Sequence, residues 1–558
     1  MSGRDRQPTH DVDEEWTQDP TPPVILSFTG MPGLNVPTPT TLLGFLQLFI
    51  TRELLAYLAA ETNAYAHYMR KEMCRGDKGA WVPVTVQEMA MFLGLIIIMG
   101  IFPAPERRMY WQTGKIFSMP GFARIMSRNR FDAINRYFHT ANRKAIPRDN
   151  NDRLFLVKPV INYLKARFRA TYTPERNVSL DEGLMPYKGR LSIKTYNPQK
   201  PSKYGIKLYM LCEAKSGYVV DFLTYGGSTS TLKDIVFTLM GPLLDKGYHV
   251  FMDNYYNSIE LAEELYSHGV LCSGTLRLVR KGAPNFLKSL TRQWVPRNSM
   301  HFHRRGNVFV ICWQDIRLVT MITTACNAET EEFVHRRRVR RATGTSLETV
   351  TMNRPLIIGT YCQYMGGVDL FDQLMKYYSM ARKGMKWTRK FTFYLLQMAI
   401  LNAYAMFAKY HPQSKKIKLL DFMYECAEAL INFNAEDWPL SDISFAHLPD
   451  LPVADRLDVL PVPVPAAAAS AGEDSEPDDP HSMDSAVDIP EAAVESLVPP
   501  PSPLPSPLPS PPLPRTSSVP PSLADVGPSD SGPSTAGPST AGPSAAGPLC
   551  CWSLCCWY

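Results

Sequence analysis

The sequence predicts an α/β protein with a helical region in front of its sheet. Apolar residues recur at helical spacing from residue 41 to about residue 170. From Asn177 the pattern changes, and the following elements read strand, strand, strand, helix, strand, helix, strand. Helical patterns return later, in VDLFDQLMKYYSM and KFTFYLLQMAILNAYAMFAKY. These three observations together indicate a central sheet with helices packed against it.

The helical region contains the longest apolar run of the chain, MAMFLGLIIIMGIF at residues 89–102. Fourteen residues are few for a membrane span, and Pro103 and Pro105 close the run. We therefore expect a buried core helix here, and no membrane segment. The first residues show no signal-peptide pattern. Residues 1–40 are polar and proline-rich, and are predicted to form a disordered arm.

Two later segments have patterns of their own. HFHRRGNVFVICWQDIRLVTMITTA reads as short antiparallel strands, which predicts a β-rich insert over residues 284–352. After Asp450 the composition changes abruptly, because 24 of the 48 prolines lie there, many in PSPLP repeats. Such a segment buries too little apolar surface to offset the entropy of ordering, so residues 451–558 are predicted to be disordered. The PSPLP repeats would also suit an SH3- or WW-type partner.

The charge of the chain is unevenly divided. The formal net charge is +6. Residues 1–450 carry 57 basic and 40 acidic residues, whereas residues 451–558 carry 2 basic and 13 acidic residues. A basic body indicates a polyanionic partner, most commonly nucleic acid. A hydrophobic content of 45% excludes a wholly disordered protein. The eleven cysteines form no disulfide framework, which favours a reducing compartment.

Aspartates stand where the predicted topology could bring them together. Asp181 lies in the first strand, Asp253 ends the fourth, and Asp369 opens a helix with Asp372 three residues on, on the same face. In a sheet of this order the first and fourth strands can lie side by side, and a returning helix can pack over them. Converging carboxylates need a cation, and Mg²⁺ or Mn²⁺ prefers such ligands. Two ions can stabilise both oxygens of an in-line phosphoryl transfer. Each aspartate alone would also suit a cap or a turn.

Basic residues follow these aspartates along the chain. Cations interleaved with an aromatic residue suit contact with a nucleic-acid backbone, although a solvated basic face is the alternative for any one cluster. The predicted DNA contacts are Lys188, Arg190, Lys203, Lys207, Arg277, Arg280, Lys281, Arg382, Lys383, Lys386, Arg389 and Lys390. HRRRVRR at residues 335–341 could be a DNA contact, a nuclear localisation patch or a charged loop.

The residues just described stand in motifs that closely resemble those of piggyBac-type transposases. The motifs are DEGLMPYKGR (181–190), KPSKYGIK (200–207), MDNYYNS (252–258), CSGTLRLVRKGAP (272–284), YCQYMGGVDLFDQ (361–373) and RKGMKWTRKF (382–391). The resemblance covers roughly residues 40 to 435. It implies an RNase H-like catalytic core split by a β-rich insertion domain, with a flanking helical domain and disordered termini.

The resemblance and the composition together divide the chain into segments. These are a disordered N-terminal arm (1–40), a helical DNA-binding and dimerisation region (41–176), the first part of the RNase H-like core (177–283), a β-rich insertion domain (284–352), the last part of the core with C-terminal helices (353–440), and a disordered acidic tail rich in Pro, Ser and Gly (451–558).

The resemblance also implies an activity, namely cut-and-paste transposition at TTAA sites. The catalytic residues would be Asp181, Asp253 and Asp369, and Asp372 would join them in binding two Mg²⁺ or Mn²⁺ ions. Water would nick the transposon end, the freed 3′-hydroxyl would form a hairpin with the opposite strand, and the reopened end would join target DNA. The partner would be double-stranded DNA, with TTAA-flanked ends and a target. A homodimer and a nuclear location are expected.

The chain departs from the family's pattern after its last helices. The family typically ends in a cysteine-rich zinc-binding domain that recognises transposon ends, but here no cysteine lies between Cys426 and Cys550. The terminal pairs in LCCWSLCCWY are adjacent, and adjacent cysteines chelate one zinc ion poorly. No zinc is therefore expected. Two functions remain open: an active transposase, and a domesticated nuclear DNA-binding protein without autonomous transposition.

Overall fold

The structure is a computed structural model. It describes residues 15–72, 80–114, 118–198, 200–227, 230–290, 295–341, 344–382, 384–411 and 417–439. The acidic tail, Lys383 and the side chains of HRRRVRR lie outside this description.

Helices make up the region before the sheet, as the apolar spacing predicts. They are α1, Leu42–Gln47; α2, Arg52–His67; α3, Val86–Ile101; α4, Pro120–Ile125; α5, Arg128–Tyr137; and α6, Lys158–Thr171. A capping box starts α3, because the Thr85 side chain accepts from the Glu88 amide and the Glu88 side chain accepts from the Thr85 amide. Most of α3 is buried, so the long apolar run is a core helix as expected.

The strands follow, interrupted by two helices. They are β1, Gly33–Leu34; β2, Tyr172–Thr173; β3, Asn177–Pro186; β4, Lys194–Tyr196; β5, Tyr204–Glu213; β6, Val219–Thr224; β7, His249–Met252; β8, Leu271–Thr275; β9, Met300–Arg305; β10, Val308–Gln314; β11, Leu318–Thr323; β12, Thr330–Arg341; and β13, Gly344–Pro355. Helix α7, Leu232–Met240, lies between β6 and β7, and α8, Ile259–Ser267, lies between β7 and β8.

One large mixed sheet dominates the described residues. Its strands run in the order β4-β5-β3-β7-β8-β11-β10-β9, and β6 pairs with β5. The long strand β3 is antiparallel to β5 and parallel to β7. The first and fourth predicted strands therefore do lie side by side at the centre, with only the short β4 added to the predicted order.

The strands of the β-rich insert divide between the central sheet and a ribbon of their own. Its antiparallel strands β9, β10 and β11 extend the central sheet, because β11 pairs with β8. Strands β12 and β13 instead form a long two-stranded ribbon. The segment boundaries drawn from the sequence remain a prediction.

Helices return after the ribbon and complete the core. They are α10, Leu356–Tyr364; α11, Gly367–Tyr377; α12, Trp387–Tyr410; and α13, Leu419–Ile431. A short helix, α9 (Phe286–Leu290), lies earlier, between β8 and β9. The 24 residues of α12 are long and apolar enough to cross a membrane, but most of this helix is buried inside the protein. Its Asn402 side chain bonds both the amide and the carbonyl of Val219, which fixes α12 against β6.

The N-terminal arm differs from its prediction over residues 15–40, which lie against the fold. Trp16 is buried, and the Thr17 amide donates to the Arg304 carbonyl at 2.9 Å on the outer edge of the sheet. Further along, β1 pairs with β2. Unpaired backbone groups at sheet edges accept such additions readily, which is why a polar segment with little helical or strand pattern can still be held in place.

Candidate active site

Asp181 and Asp253 lie side by side at the centre of the sheet. In the parallel β3–β7 pair Leu180 stands opposite Met252, so the next residue of each chain segment brings the two aspartates together on one face. Both side chains are partly buried. The Glu182 amide donates to Asp181 Oδ1 at 2.7 Å, and the Tyr255 amide donates to Asp253 Oδ1 at 2.9 Å. The sheet register thus assembles the pair that the sequence predicts.

Burial and neighbouring negative charge oppose ionisation of this pair. Burial raises the pKa of Asp181 well above its usual range, and the Glu182 and Asp253 carboxylates raise it further. Burial also raises the pKa of Asp253, while hydrogen bonds from backbone amides and the Arg277 guanidinium act in the opposite direction. Two adjacent, desolvated carboxylates are a donor set that a hard divalent cation would stabilise.

Helix α11 places the remaining aspartates. A Cβ on Gly367 would lie 2.5 Å from Ser179 Oγ, so glycine allows the helix to approach β3 closely. Asp372 Oδ1 lies 3.7 Å from the position of a Cβ on Gly183, which is on the same face of β3 as Asp181. Asp369 is exposed. Thus α11 turns Asp372 rather than Asp369 toward the sheet. Among the described residues, no three His, Cys, Asp or Glu side chains are close enough together to hold one metal ion.

Lys200 is the main site residue that the sequence analysis missed. Its Nζ donates to the Glu182 carbonyl at 2.9 Å and lies 4.0 Å from Asp372 Oδ2. Burial raises the pKa of Asp372 to about 6, and the Lys200 charge lowers the pKa of both Asp372 and Asp181. The signal was present, because Lys200 opens the KPSKYGIK motif. Its ammonium is therefore one positive charge that acts on both Asp181 and Asp372.

Tyr361 of α10 was also missed. It is 8% exposed. Burial raises the pKa of its hydroxyl, and the charges of Asp253 and Asp181 raise this pKa further. The YCQYMGGVDLFDQ motif thus contributes two elements to the site, α10 and α11.

Lys207, a predicted DNA contact, is bound inside the protein. Its Nζ lies 3.0 Å from Glu182 Oε1, and its ammonium stands 4.5 Å and 4.8 Å from the ring centres of Tyr209 and Tyr255. The Tyr256 hydroxyl donates to Glu182 Oε1 at 2.9 Å. These contacts tie the residue after Asp181 to the loop after Asp253.

The basic residues after β8 contact that same loop. Arg277 Nε donates to Asn254 Oδ1 at 3.1 Å. Arg280 Nη2 donates to the carbonyls of Asn254 at 2.7 Å and Tyr255 at 2.9 Å. Both arginines therefore hold the backbone that follows Asp253, while Lys281 is exposed.

The other predicted DNA contacts fall into two groups. Lys188, Arg190 and Lys203 are exposed on the segments between β3 and β5. In the second group, Arg382 donates to the Tyr110 hydroxyl and the Ala104 carbonyl, Lys386 to the Arg136 carbonyl at 2.6 Å, and Arg389 to the Asn135 carbonyl at 2.6 Å. Lys390 is partly buried beside them. This second group lies against the helical region.

A mixed sheet with paired aspartates on neighbouring central strands defines a DDE-type transposase fold. A family model described as Transposase IS4 matches residues 42–404 of the chain, and the chain belongs to this family, as a piggyBac-type member.

Several human proteins resemble the chain. PiggyBac transposable element-derived protein 2 of Homo sapiens is 26% identical over 407 residues, which cover 70% of this chain and 66% of that protein. PiggyBac transposable element-derived protein 3 of Homo sapiens is 26% identical over 398 residues, which cover 69% of this chain and 63% of that protein. The chain thus spans just under two thirds of the length of these two relatives.

A solved structure shares the fold. The cryo-EM structure of a piggyBac transposase synaptic complex with hairpin DNA has a TM-score of 0.60 to this chain at 23% identity, and the match covers 72% of this chain and 82% of that one. The likeness supports the α/β architecture described above.

Proposed function

We propose that this protein is a DNA transposase that cuts DNA and joins the cut ends at TTAA sites by metal-dependent phosphoryl transfer. The observation that carries the proposal is the pairing of Asp181 with Asp253 on adjacent parallel strands at the sheet centre. Burial and the neighbouring Glu182 carboxylate raise the pKa of both carboxyl groups, a cost that a bound cation would offset. A protein that only bound DNA would have no physical need for this arrangement.

A divalent cation, Mg²⁺ or Mn²⁺, fits the chemistry of these donors. Asp181 and Asp253 would hold it, with Asp372 and the catalytic candidate Asp369 on the helix over them. Bound ions of this kind supply charge neutralisation to the attacking and leaving oxygens of phosphoryl transfer. The protein's own part is to hold the carboxylates in register through β3 and β7, and to fix the Asp253 loop through Arg277 and Arg280.

Double-stranded DNA is the proposed substrate. Lys188, Arg190 and Lys203 are exposed on the segments between β3 and β5, where they would contact a phosphate backbone. The solved piggyBac transposase is in a complex with hairpin DNA, which supports the same class of ligand for this chain. A homodimer, a nuclear location and an SH3- or WW-type partner of the proline-rich tail are part of the proposal.

The second candidate is a domesticated DNA-binding protein that does not transpose autonomously. It is favoured by one observation of the sequence, the lack of cysteine between Cys426 and Cys550, where the family's zinc-binding domain would need ligands. This candidate shares the fold and the DNA ligand, and differs only in catalysis and in recognition of transposon ends.

A strand-cleavage assay separates the two candidates. The full chain is incubated with labelled TTAA-flanked duplex in Mg²⁺ or Mn²⁺, beside the variant Asp253→Asn and the control Asp149→Asn. Asparagine keeps the Oδ1 that accepts the Tyr255 amide, so the variant should fold, and Asp149 is exposed and far from the motifs. Nicks or hairpins that Asp253→Asn abolishes and Asp149→Asn retains support the transposase. Salt-sensitive binding without cleavage by any of the three proteins would refute it and leave the DNA-binding protein.

A further inference from the structure

A cleft lies between the helical region and the segment that leads into α12. Its volume is about 430 Å³, and a second cavity of about 300 Å³ shares four of its lining residues, Arg107, Asn135, Lys386 and Arg389. Cations line the two from both sides: Arg107 and Arg136 from the helical region, and Arg382, Lys386, Arg389 and Lys390 from the other wall. Neither Arg107 nor Arg136 was singled out by the sequence.

Positive charge in this cleft greatly exceeds negative charge. Asp132, which lines the second cavity, is the one carboxylate among the lining residues of the two, and Arg107 Nε lies 2.7 Å from its Oδ1. Arg389 contacts only a neutral partner, the Asn135 carbonyl, and neither it nor Lys390 has a carboxylate partner among the described residues. Burial lowers the pKa of both side chains, as expected for cations that are desolvated without compensation. The cleft is thus built to receive an anion.

The donor groups of the cleft match a phosphate group. The apolar residues below the cations are almost completely covered, with Ile96 and Phe393 at 5% exposure and Phe131 at 0%. The groups within reach are guanidinium and ammonium donors, which match phosphate oxygens in charge and geometry.

We propose that this cleft binds a phosphate group of the DNA backbone and thereby joins the helical region to the catalytic core. The proposal rests on the proposed function, which supplies DNA as the ligand. Arg389 and Lys390 form the inner part of the site, and Arg107 turns from Asp132 to the incoming phosphate. Asp132 is then a competitor that holds Arg107 in the free protein and weakens DNA binding.

Two neighbouring ion pairs allow a matched test of this role. Arg107 pairs with Asp132 in the cleft, whereas Arg108 pairs with Glu106, and neither Arg108 nor Glu106 lines the cleft. Both arginines are substantially exposed, so Arg107→Gln and Arg108→Gln should fold equally well, which thermal melting checks. The full chain is titrated onto a fluorescent duplex by anisotropy over a range of NaCl concentrations, without divalent ions.

The proposal predicts that substitutions of Arg107 and Asp132 change DNA affinity in opposite directions, and that substitutions of Arg108 and Glu106 do not change it. Arg107→Gln should weaken binding and lower the slope of log K against log salt by about 0.9, the value for one phosphate contact on duplex DNA. Asp132→Asn should tighten binding. Arg108→Gln and Glu106→Gln should leave the slope unchanged. The double variant Arg389→Gln/Lys390→Gln should lose more of the slope than Arg107→Gln.

The outcomes that would overturn the proposal are distinct from failure of the proposed function. If the wild type binds the duplex and all variants keep its slope, the cleft proposal is wrong while the function stands. If the wild type does not bind duplex DNA, the proposed function fails and the cleft proposal with it. Melting in inorganic phosphate tests a free-anion site. Stabilisation by phosphate that Arg107→Gln abolishes, with an unchanged DNA slope, would assign the cleft to a free anion and overturn the DNA proposal.

Discussion

Substitution of Lys200 tests whether its ammonium group stabilises the neighbouring carboxylates. Lys200→Met removes the ammonium but keeps most of the apolar stem. At 4.0 Å from Asp372 Oδ2, a unit charge pair is worth about 4 kcal/mol at an effective dielectric constant of 20. The side chains of Lys200 and Asp372 are 20% and 16% exposed, so water screens part of this energy, whereas loss of the hydrogen bond to the Glu182 carbonyl adds to the cost.

The expected loss of unfolding free energy is therefore about 2–4 kcal/mol, measured by urea denaturation with EDTA present. Lys203→Met is the matched control, because Lys203 lies on the same loop, is exposed and should change stability by less than about 0.5 kcal/mol. Saturating Mn²⁺ should reduce the difference in unfolding free energy between Lys200→Met and the wild type, since a bound cation would replace the missing positive charge.

Two results would refute this reasoning. Equal stability of Lys200→Met and wild type in EDTA would show that the ammonium does not compensate the carboxylates. Equal stabilisation of both proteins by Mn²⁺ would show that the ammonium and the metal do not act on the same charges.

The remaining predictions concern the strands that flank Asp253. Burial lowers the pKa of His249 to about 3. The His249 imidazole therefore stays neutral in the folded protein, whereas in the unfolded chain it takes up a proton below about pH 6.5. Stability is therefore lost as the pH falls, by about 2 kcal/mol at pH 5 from this group, and urea denaturation of His249→Gln should show a correspondingly weaker pH dependence. A Cβ at Gly274 would overlap the Met252 carbonyl oxygen, so Gly274→Ala should destabilise the protein by about 1–3 kcal/mol in thermal melting and lower DNA cleavage.

Each of these has a simple control. Glutamine can still hydrogen-bond the Ser273 hydroxyl that lies 2.8 Å from His249 Nε2, so an identical pH dependence in wild type and His249→Gln would contradict the assignment to this histidine. Gly121→Ala is the control for Gly274→Ala, because nothing lies within 4 Å of a Cβ there. Similar melting of both glycine variants would rule out the overlap as the cause.

Local patterns predicted the elements and the central pairing. The apolar run at residues 89–102 is sufficient to predict a buried core helix, because it is too short for a membrane span and is closed by Pro103 and Pro105. The same holds for the strand order around Asp181 and Asp253, since short connections and right-handed crossovers leave few arrangements for such a sequence of elements. Asp181 and Asp253 must be adjacent once β3 and β7 are known to be neighbouring parallel strands.

Local sequence patterns do not predict contacts between segments that are distant in the chain. The sequence places Asp369 and Asp372 on one helix face, but only the packing of α11 on β3 decides that Asp372 turns to the sheet and that Asp369 is exposed. The rotation of a helix about its axis depends on close contacts such as that of Gly367 with Ser179, which no local period encodes.

The sequence by itself determined the class of the fold, the family and the aspartate pair, because periodicity and motif order are local properties of the chain. Only the tertiary structure decided that Lys200 brings a positive charge to Asp181 and Asp372, and that Arg107 and Arg389 line the same cleft. Both relations join residues from different elements, and their energies depend on distances and burial that exist only once the chain has folded.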